Sequence, residues 1–170
     1  SSPMQQKLFR HALEVGRRYN VDCKSQCRRP SPILAMEYKL MDKLILRLVR
    51  RQIGIETSHI FPTAGATVSP EVERFVHSVG INMVVGYGLT ESLATVSCDR
   101  DNMPYTIGSV GRPIKGIDVK IGENDEILLK GPTITSGYYK RDAANAAAFT
   151  EDGYFRTGDA GYIKNGELFL

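Results

Sequence analysis

Six consecutive residues, Gly86-Tyr87-Gly88-Leu89-Thr90-Glu91, gather the groups a bound nucleotide needs. A tyrosine face can stack on a base, and a threonine hydroxyl can donate to a phosphate oxygen. A glutamate can hold Mg2+ through oxygen. Two glycines let backbone come close to a flat ligand. The apolar run 82–85 ahead of them reads as a buried strand running out into a loop. Open α/β sheets bind ligands at the carboxyl ends of their strands, where this stretch would lie. Taken alone, the six residues read equally well as a Gly-rich turn entering a helix, with Glu91 as its cap.

Three further blocks sharpen the reading. Thr63-Ala64-Gly65-Ala66 precedes the hexapeptide. Glu126-Ile127-Leu128-Leu129-Lys130-Gly131-Pro132 follows it, then Gly137-Tyr138-Tyr139. Gly153-Tyr154-Phe155-Arg156-Thr157-Gly158-Asp159 comes last. In this order and spacing the blocks closely resemble the adenylate-forming superfamily, which holds acyl-CoA synthetases, peptide-synthetase adenylation domains and luciferases. Tyr87 to Ser92, with Val110-Gly111-Arg112-Pro113 after it, is most similar to the long-chain fatty acid–CoA ligases. The resemblance covers nearly the whole chain from Gly54 onward. Two parts of that family's pattern do not occur in it: the Ser/Thr/Gly-rich phosphate loop ending in Pro-Lys, and the smaller C-terminal domain with its catalytic lysine. The chain therefore reads as the latter part of an acyl-CoA synthetase-like N-terminal domain.

The resemblance implies a two-step reaction on ATP, a fatty acid and CoA, with Mg2+ as cofactor. Carried over to this chain, Gly65 and Ala66 would line the adenine. Gly86, Tyr87 and Gly88 would lie along base and ribose. Thr90 would hydrogen-bond phosphate, Glu91 would bind the metal, and both would be catalytic. Asp159 would accept from the two ribose hydroxyls. Thr157-Gly158-Asp159 is otherwise a mere turn. Tyr138 and Tyr139 read as core or surface aromatics, and Lys130 and Arg156 as solvated charges.

Regular elements must position these groups. Leu8, Ala12, Val15 and Tyr19 recur at the spacing of one helical face. Residues 20–32, with three basic residues close together and two prolines, read as loop. The pattern over 33–53 predicts a long helix, with Leu34, Tyr38, Met41, Ile45 and Leu48 on one stripe and Lys39, Lys43, Arg47 and Arg50 on another. Residues 59–62 read as a strand. Ser69-Pro70-Glu71 opens a helix to Val79, with Val72, Phe75, Val76 and Val79 inward. A strand over 81–85 completes a parallel strand–helix–strand portion. A short strand over 93–97 and a polar loop over 99–104 follow. From 107 the chain reads as antiparallel: a hairpin with alternating residues over 118–121 and 126–130, a short helix over 141–149, and a second hairpin turned by Asn165-Gly166. The fold class is thus α/β, a parallel strand-helix-strand portion followed by an antiparallel β portion. We divide it at 1–105 and 106–170, both within the AMP-binding domain.

Composition narrows the alternatives. The 170 residues suffice for a real core, and no apolar run approaches the roughly 20 residues needed to span a bilayer. Cys23, Cys27 and Cys98 are odd in number and lack partners for a metal site, so reduced cytoplasmic thiols are expected. Residues 1–60 carry twelve Lys/Arg against five Asp/Glu, although the chain nets only +3. That basic front section admits peripheral contact with an anionic membrane. No nucleic-acid-reading motif accompanies it. Two rival readings follow: a non-catalytic anion- or membrane-binding module, and a superfamily relative that activates an aryl or amino acid.

Overall fold

A computed structural model describes residues 2–57, 59–100 and 103–170. The chain divides into two units, each drawn from separate stretches of sequence. The first takes Ser1–Thr63, Val68–Val84 and Arg100–Gly108; the second takes Ala64–Thr67, Val85–Asp99 and Ser109–Leu170.

The first unit is mainly helical. Helix α1 (Pro3–Gly16) opens on a capping box: the Gln5 amide donates to the Ser2 hydroxyl, and the Ser2 amide donates to Gln5 Oε1. The helical path then continues through a π-turn (Arg17–Cys23) and a 3-10 turn (Lys24–Gln26). The expected loop over 20–32 is thereby narrowed to 27–31. The chain holds no proline or glycine between Arg17 and Arg29, and Tyr19 stacks on Tyr38 with centroids 4.0 Å apart. Packing therefore carries the helical path on to Gln26, where Cys27 ends it at φ 51°.

Helix α2 (Pro32–Met41), capped by Ser31, runs through a π-turn (Asp42–Leu46) into α3 (Arg47–Gln52). Leu34, Met41 and Leu46 join Ala12 and Val15 in the core of this unit. Leu48, expected on the same stripe, is exposed, and Leu46 takes the inward position. A π-turn bonds i to i+5, so one extra residue rotates the face that follows. Lys39, Lys43 and Arg47 are exposed, but Arg50 is not a solvated charge. Its guanidinium donates to both Asp42 carboxylate oxygens, at 2.7 and 3.1 Å, and to the Val79 carbonyl at 2.7 Å.

Helix α4 (Pro70–Ser78) starts on the Ser69 cap as the sequence predicts. Its inward face differs. Glu73, His77 and Ser78 are buried with Val79, whereas Val72 and Phe75 are exposed. The polar face has work to do on residues 103–108. Glu73 Oε2 accepts the Gly108 amide at 2.7 Å, and the Tyr105 hydroxyl lies 3.3 Å from His77 Nδ1. Buried backbone needs such partners. Burial pushes the Glu73 carboxyl up and the His77 imidazole down to about 4, so His77 is neutral at physiological pH. Strand β1 (Phe61–Thr63) precedes α4 and lies beside β2 (Met83–Tyr87), completing the strand–helix–strand arrangement.

In the second unit Gly86 and Tyr87 end β2, pairing antiparallel with Cys98 and Ser97 of β3 (Ser97–Cys98). The strand thus runs two residues past its expected end, because β3 supplies a ladder for it. The expected strand over 93–97 shrinks to β3, since Leu93 and Ala94 turn the chain at φ 52° and 81°. β3 pairs in turn with β4 (Arg112–Pro113). A separate antiparallel sheet holds β5 (Asp118–Ile121), β6 (Glu126–Lys130) and β7 (Phe155–Ala160). Ile127, Leu128 and Leu129 are all buried, not alternating, as suits a central strand covered on both faces. Helix α5 (Asp142–Ala148) lies between β6 and β7 in sequence. The β8 (Tyr162–Lys164) and β9 (Glu167–Phe169) hairpin turns at Asn165 and Gly166, with φ 54° and 78°, the positive pair a type I′ turn requires. The expected polar loop over 99–104 falls partly outside the described residues. Among those described, no helix is long and apolar enough to cross a membrane.

Candidate nucleotide site

The second unit brings together residues far apart in sequence. Tyr87 is the last residue of β2 and is buried. Its hydroxyl donates to Asp159 Oδ2 at 2.6 Å. Asp159 reaches it through a bulge in β7. Glu126 pairs with Ala160 and Leu128 with Arg156, so Thr157, Gly158 and Asp159 together face Ile127. Gly158 sits at φ 74° within the bulge. Thr157 Oγ1 donates to the Ile127 carbonyl at 2.7 Å and accepts the Asp159 amide at 3.1 Å. The Gly158 amide donates to Glu126 Oε1, and Glu126 Oε2 pairs with Arg156 at 2.9 Å. The tripeptide is therefore not a free turn but a pinned bulge that re-aims one carboxylate. Burial, and then the Asp159 carboxylate, hold the Tyr87 hydroxyl well above the ordinary tyrosine range, so it remains a donor.

After Tyr87 the chain folds tightly on itself. The amides of Ser92 and Ala94 both donate to the Leu89 carbonyl, at 3.1 and 3.0 Å. Ser92 Oγ accepts the Leu89 amide at 3.0 Å. A methyl group on Gly88 would sit 1.4 Å from the Ala94 carbonyl oxygen. The smallness of Gly88 is thus consumed by the loop's own turn. The turn leaves Thr90 exposed and Glu91 half-buried in a 3-10 turn (Thr90–Ser92).

Glu91 does not cap a helix. Its Oε1 accepts the Tyr138 hydroxyl at 2.9 Å, and its carbonyl accepts the Thr135 amide at 2.7 Å. Tyr138 is thereby a residue that sequence reasoning set aside as a core or surface aromatic. Its only signal was its place in the Gly137-Tyr138-Tyr139 block. Thr157 carries no sequence signal beyond its place in the last block. Lys130 and Arg156, read as solvated, have partners in the Asp152 carbonyl and Glu126. Gly65 and Ala66 are exposed, and among the described residues no hydrogen bond ties their loop to Tyr87 or Asp159.

The donor set fits Mg2+. Oε2 of Glu91 takes no hydrogen bond among the described residues, and the Thr90 hydroxyl is exposed beside it in sequence. Among those residues no group of three or more His, Cys, Asp or Glu could hold a metal by itself. Mg2+ is commonly bound by one or two carboxylates together with substrate phosphates, not by an all-protein cage. An oxygen-only pair with one open carboxylate oxygen meets that requirement.

Residues 10–139 match the AMP-binding enzyme family. The chain belongs to that family. The chain is 32% identical over 145 residues to the long-chain-fatty-acid–CoA ligase FadD15 of Mycobacterium bovis, an alignment covering 84% of this chain and 24% of the relative. Among solved structures, the N-terminal domain of FACL13 from Mycobacterium tuberculosis is similar over 74% of this chain and 36% of its own, at TM-score 0.59 and 27% identity. The o-succinylbenzoate coenzyme A synthetase of Bacillus subtilis, solved with ATP and magnesium ion, is similar in fold over 84% of this chain and 34% of its own, at TM-score 0.58 and 22% identity. The resemblance drawn from the four sequence blocks therefore holds, and with it the mixed α/β class. The chain spans about a quarter of the length of the curated relative, 24%.

Proposed function

We propose that this chain is the nucleotide-holding section of an ATP-dependent acid–thiol ligase whose acid is a long-chain fatty acid. What supports the reading is the Tyr87–Asp159 hydrogen bond, which joins two family motifs 72 residues apart. In the first step the fatty carboxylate oxygen attacks the α-phosphorus of ATP, and pyrophosphate leaves. In the second the CoA thiol attacks the acyl carbon, its proton passes to solvent, and AMP leaves. Little proton chemistry is required, so the residues act by alignment and charge.

Asp159 accepts from the ribose hydroxyls, with Tyr87 and the Thr157 bulge fixing its carboxylate in place. Gly86 and the Tyr87 ring lie along base and ribose, and Gly65 and Ala66 border the adenine. Thr90 donates to phosphate. Glu91 and Thr90 would hold Mg2+, which supplies positive charge against the crowded phosphates. The site works in the cytoplasm, and the exposed Lys39, Lys43 and Arg47 offer an anionic membrane a peripheral contact.

The test is ATP-dependent acyl-CoA formation by the whole ligase over a panel of long-chain fatty, aryl and amino acids. We expect turnover with the fatty acids and none with the others. Preference for an aryl or amino acid overturns the substrate assignment, and absence of any ATP-dependent thioester overturns the activity. The 170-residue chain assayed by itself is expected to form no acyl-CoA and to bind ATP weakly.

A further inference from the structure

Glu91 is gripped twice by one short segment. The Thr135 amide donates to its carbonyl at 2.7 Å, and the Tyr138 hydroxyl donates to its Oε1 at 2.9 Å. The segment is itself anchored. Asn145, on α5, accepts the Tyr138 amide through Oδ1 at 2.7 Å and returns its Nδ2 to the Tyr138 carbonyl at 2.9 Å. That reciprocal amide pair fixes the tyrosine's main chain as a strand partner would. Thr135 Oγ1 exchanges two hydrogen bonds with Gly137, each at 3.2 Å, closing the turn before it. A methyl at Gly137 would lie 2.8 Å from Asn145 Oδ1 and push that side chain off the Tyr138 amide, and φ 132° there disfavours any side chain. Thr135 and Gly137 of the segment and Asn145 of α5 thus converge on the placement of one phenol.

Burial is not the purpose of this arrangement, because the tyrosine is 39% exposed. Its ring could sit in many ways on such a surface. The anchoring selects the one in which the hydroxyl meets Glu91. A neutral donor on one carboxylate oxygen stops the side chain rotating and leaves the full negative charge in place. The second oxygen is then offered in a fixed direction.

We propose that Tyr138 is a positioning residue for Glu91, holding Oε1 so that Oε2 meets the divalent cation, with Asn145 holding Tyr138 in turn. The proposal rests on the reading of Glu91 as the metal ligand. Hydrogen bonds to a ligating carboxylate from outside the metal's own shell commonly matter about 10–100-fold in metal affinity. A lone surface phenol with no such task would leave metal binding untouched.

The experiment uses the whole ligase and its Tyr138→Phe variant. Mn2+ binding is followed by water-proton relaxation in the presence of a non-hydrolysable ATP analogue, and half-saturating Mg2+ is measured in pyrophosphate exchange. We expect Tyr138→Phe to need about tenfold more metal in both measurements, with kcat restored at saturating metal and KM for the fatty acid unchanged. Asn145→Ala should shift both in the same direction and by less. Unchanged metal dependence in Tyr138→Phe overturns the proposal, as does a fall in kcat that saturating metal does not recover. Glu91→Ala in the same binding measurement separates the two levels of inference. If it too leaves Mn2+ affinity unchanged, the reading of Glu91 fails; if it abolishes binding while Tyr138→Phe does nothing, only the positioning role fails.

Discussion

Gly88→Ala is expected to lower the stability of the chain by about 3 kcal/mol or more, read as a fall in the urea midpoint. The added methyl would lie 1.4 Å from the Ala94 carbonyl oxygen and 3.0 Å from Thr95 Cα, both backbone atoms that no side-chain rotation can clear. The loop must open to admit it, and the loop is closed by amides donating to the Leu89 carbonyl. Opening it also displaces Thr90 and Glu91. Gly86→Ala makes the matched control. There the methyl would meet the Ser97 carbonyl at 3.1 Å, a contact that small shifts relieve. A Gly88→Ala chain as stable as the parent, or no more destabilised than Gly86→Ala, contradicts the described turn.

Glu91→Ala should act on chemistry and not on the fold. In the whole ligase, ATP–pyrophosphate exchange is expected to fall by about 10²–10³-fold, the range seen when one preorganised electrostatic partner of a transition state is removed. Thermal unfolding should barely move. The side chain has one described hydrogen bond, to an exposed tyrosine, and the Thr135 contact uses the Glu91 main chain, which alanine keeps. Exchange at the parental rate removes Glu91 from the reaction. A collapse of the fold instead assigns it a structural role.

Local signals carried most of the element assignments. Ser69-Pro70 opens α4, Asn165-Gly166 turns the last hairpin, and β5 and β6 pair over the residues expected for them, although β6 does not alternate. Faces were less legible. The α4 stripe of Val72 and Phe75 has the right period for burial, yet Glu73 and His77 go inward because residues 103–108 supply their partners. No periodicity reports a partner thirty residues away. The two π-turns were equally silent, and one of them moved Leu48 out and Leu46 in.

The site divides in the same manner. Motif order pointed to Tyr87, Glu91 and Asp159, since their chemistry is written in residue type. The residues that aim them were not visible. Thr157 acts through a bulge that exists only once β6 and β7 pair, and Tyr138 is held by an asparagine on the short helix α5, a pairing that no sequence pattern announces. Glycine was legible as necessary but not for its reason: at position 88 the close neighbour is the chain's own carbonyl.

Tyr87 and Asp159 are expected to border one mononucleotide. A crystal structure of the whole ligase with a non-hydrolysable acyl-adenylate tests it most directly. Both ribose hydroxyls are expected within hydrogen-bond distance of the Asp159 carboxylate, with the adenine against the Tyr87 ring. An adenylate bound elsewhere, with the Tyr87–Asp159 pair intact and untouched by ligand, would contradict it.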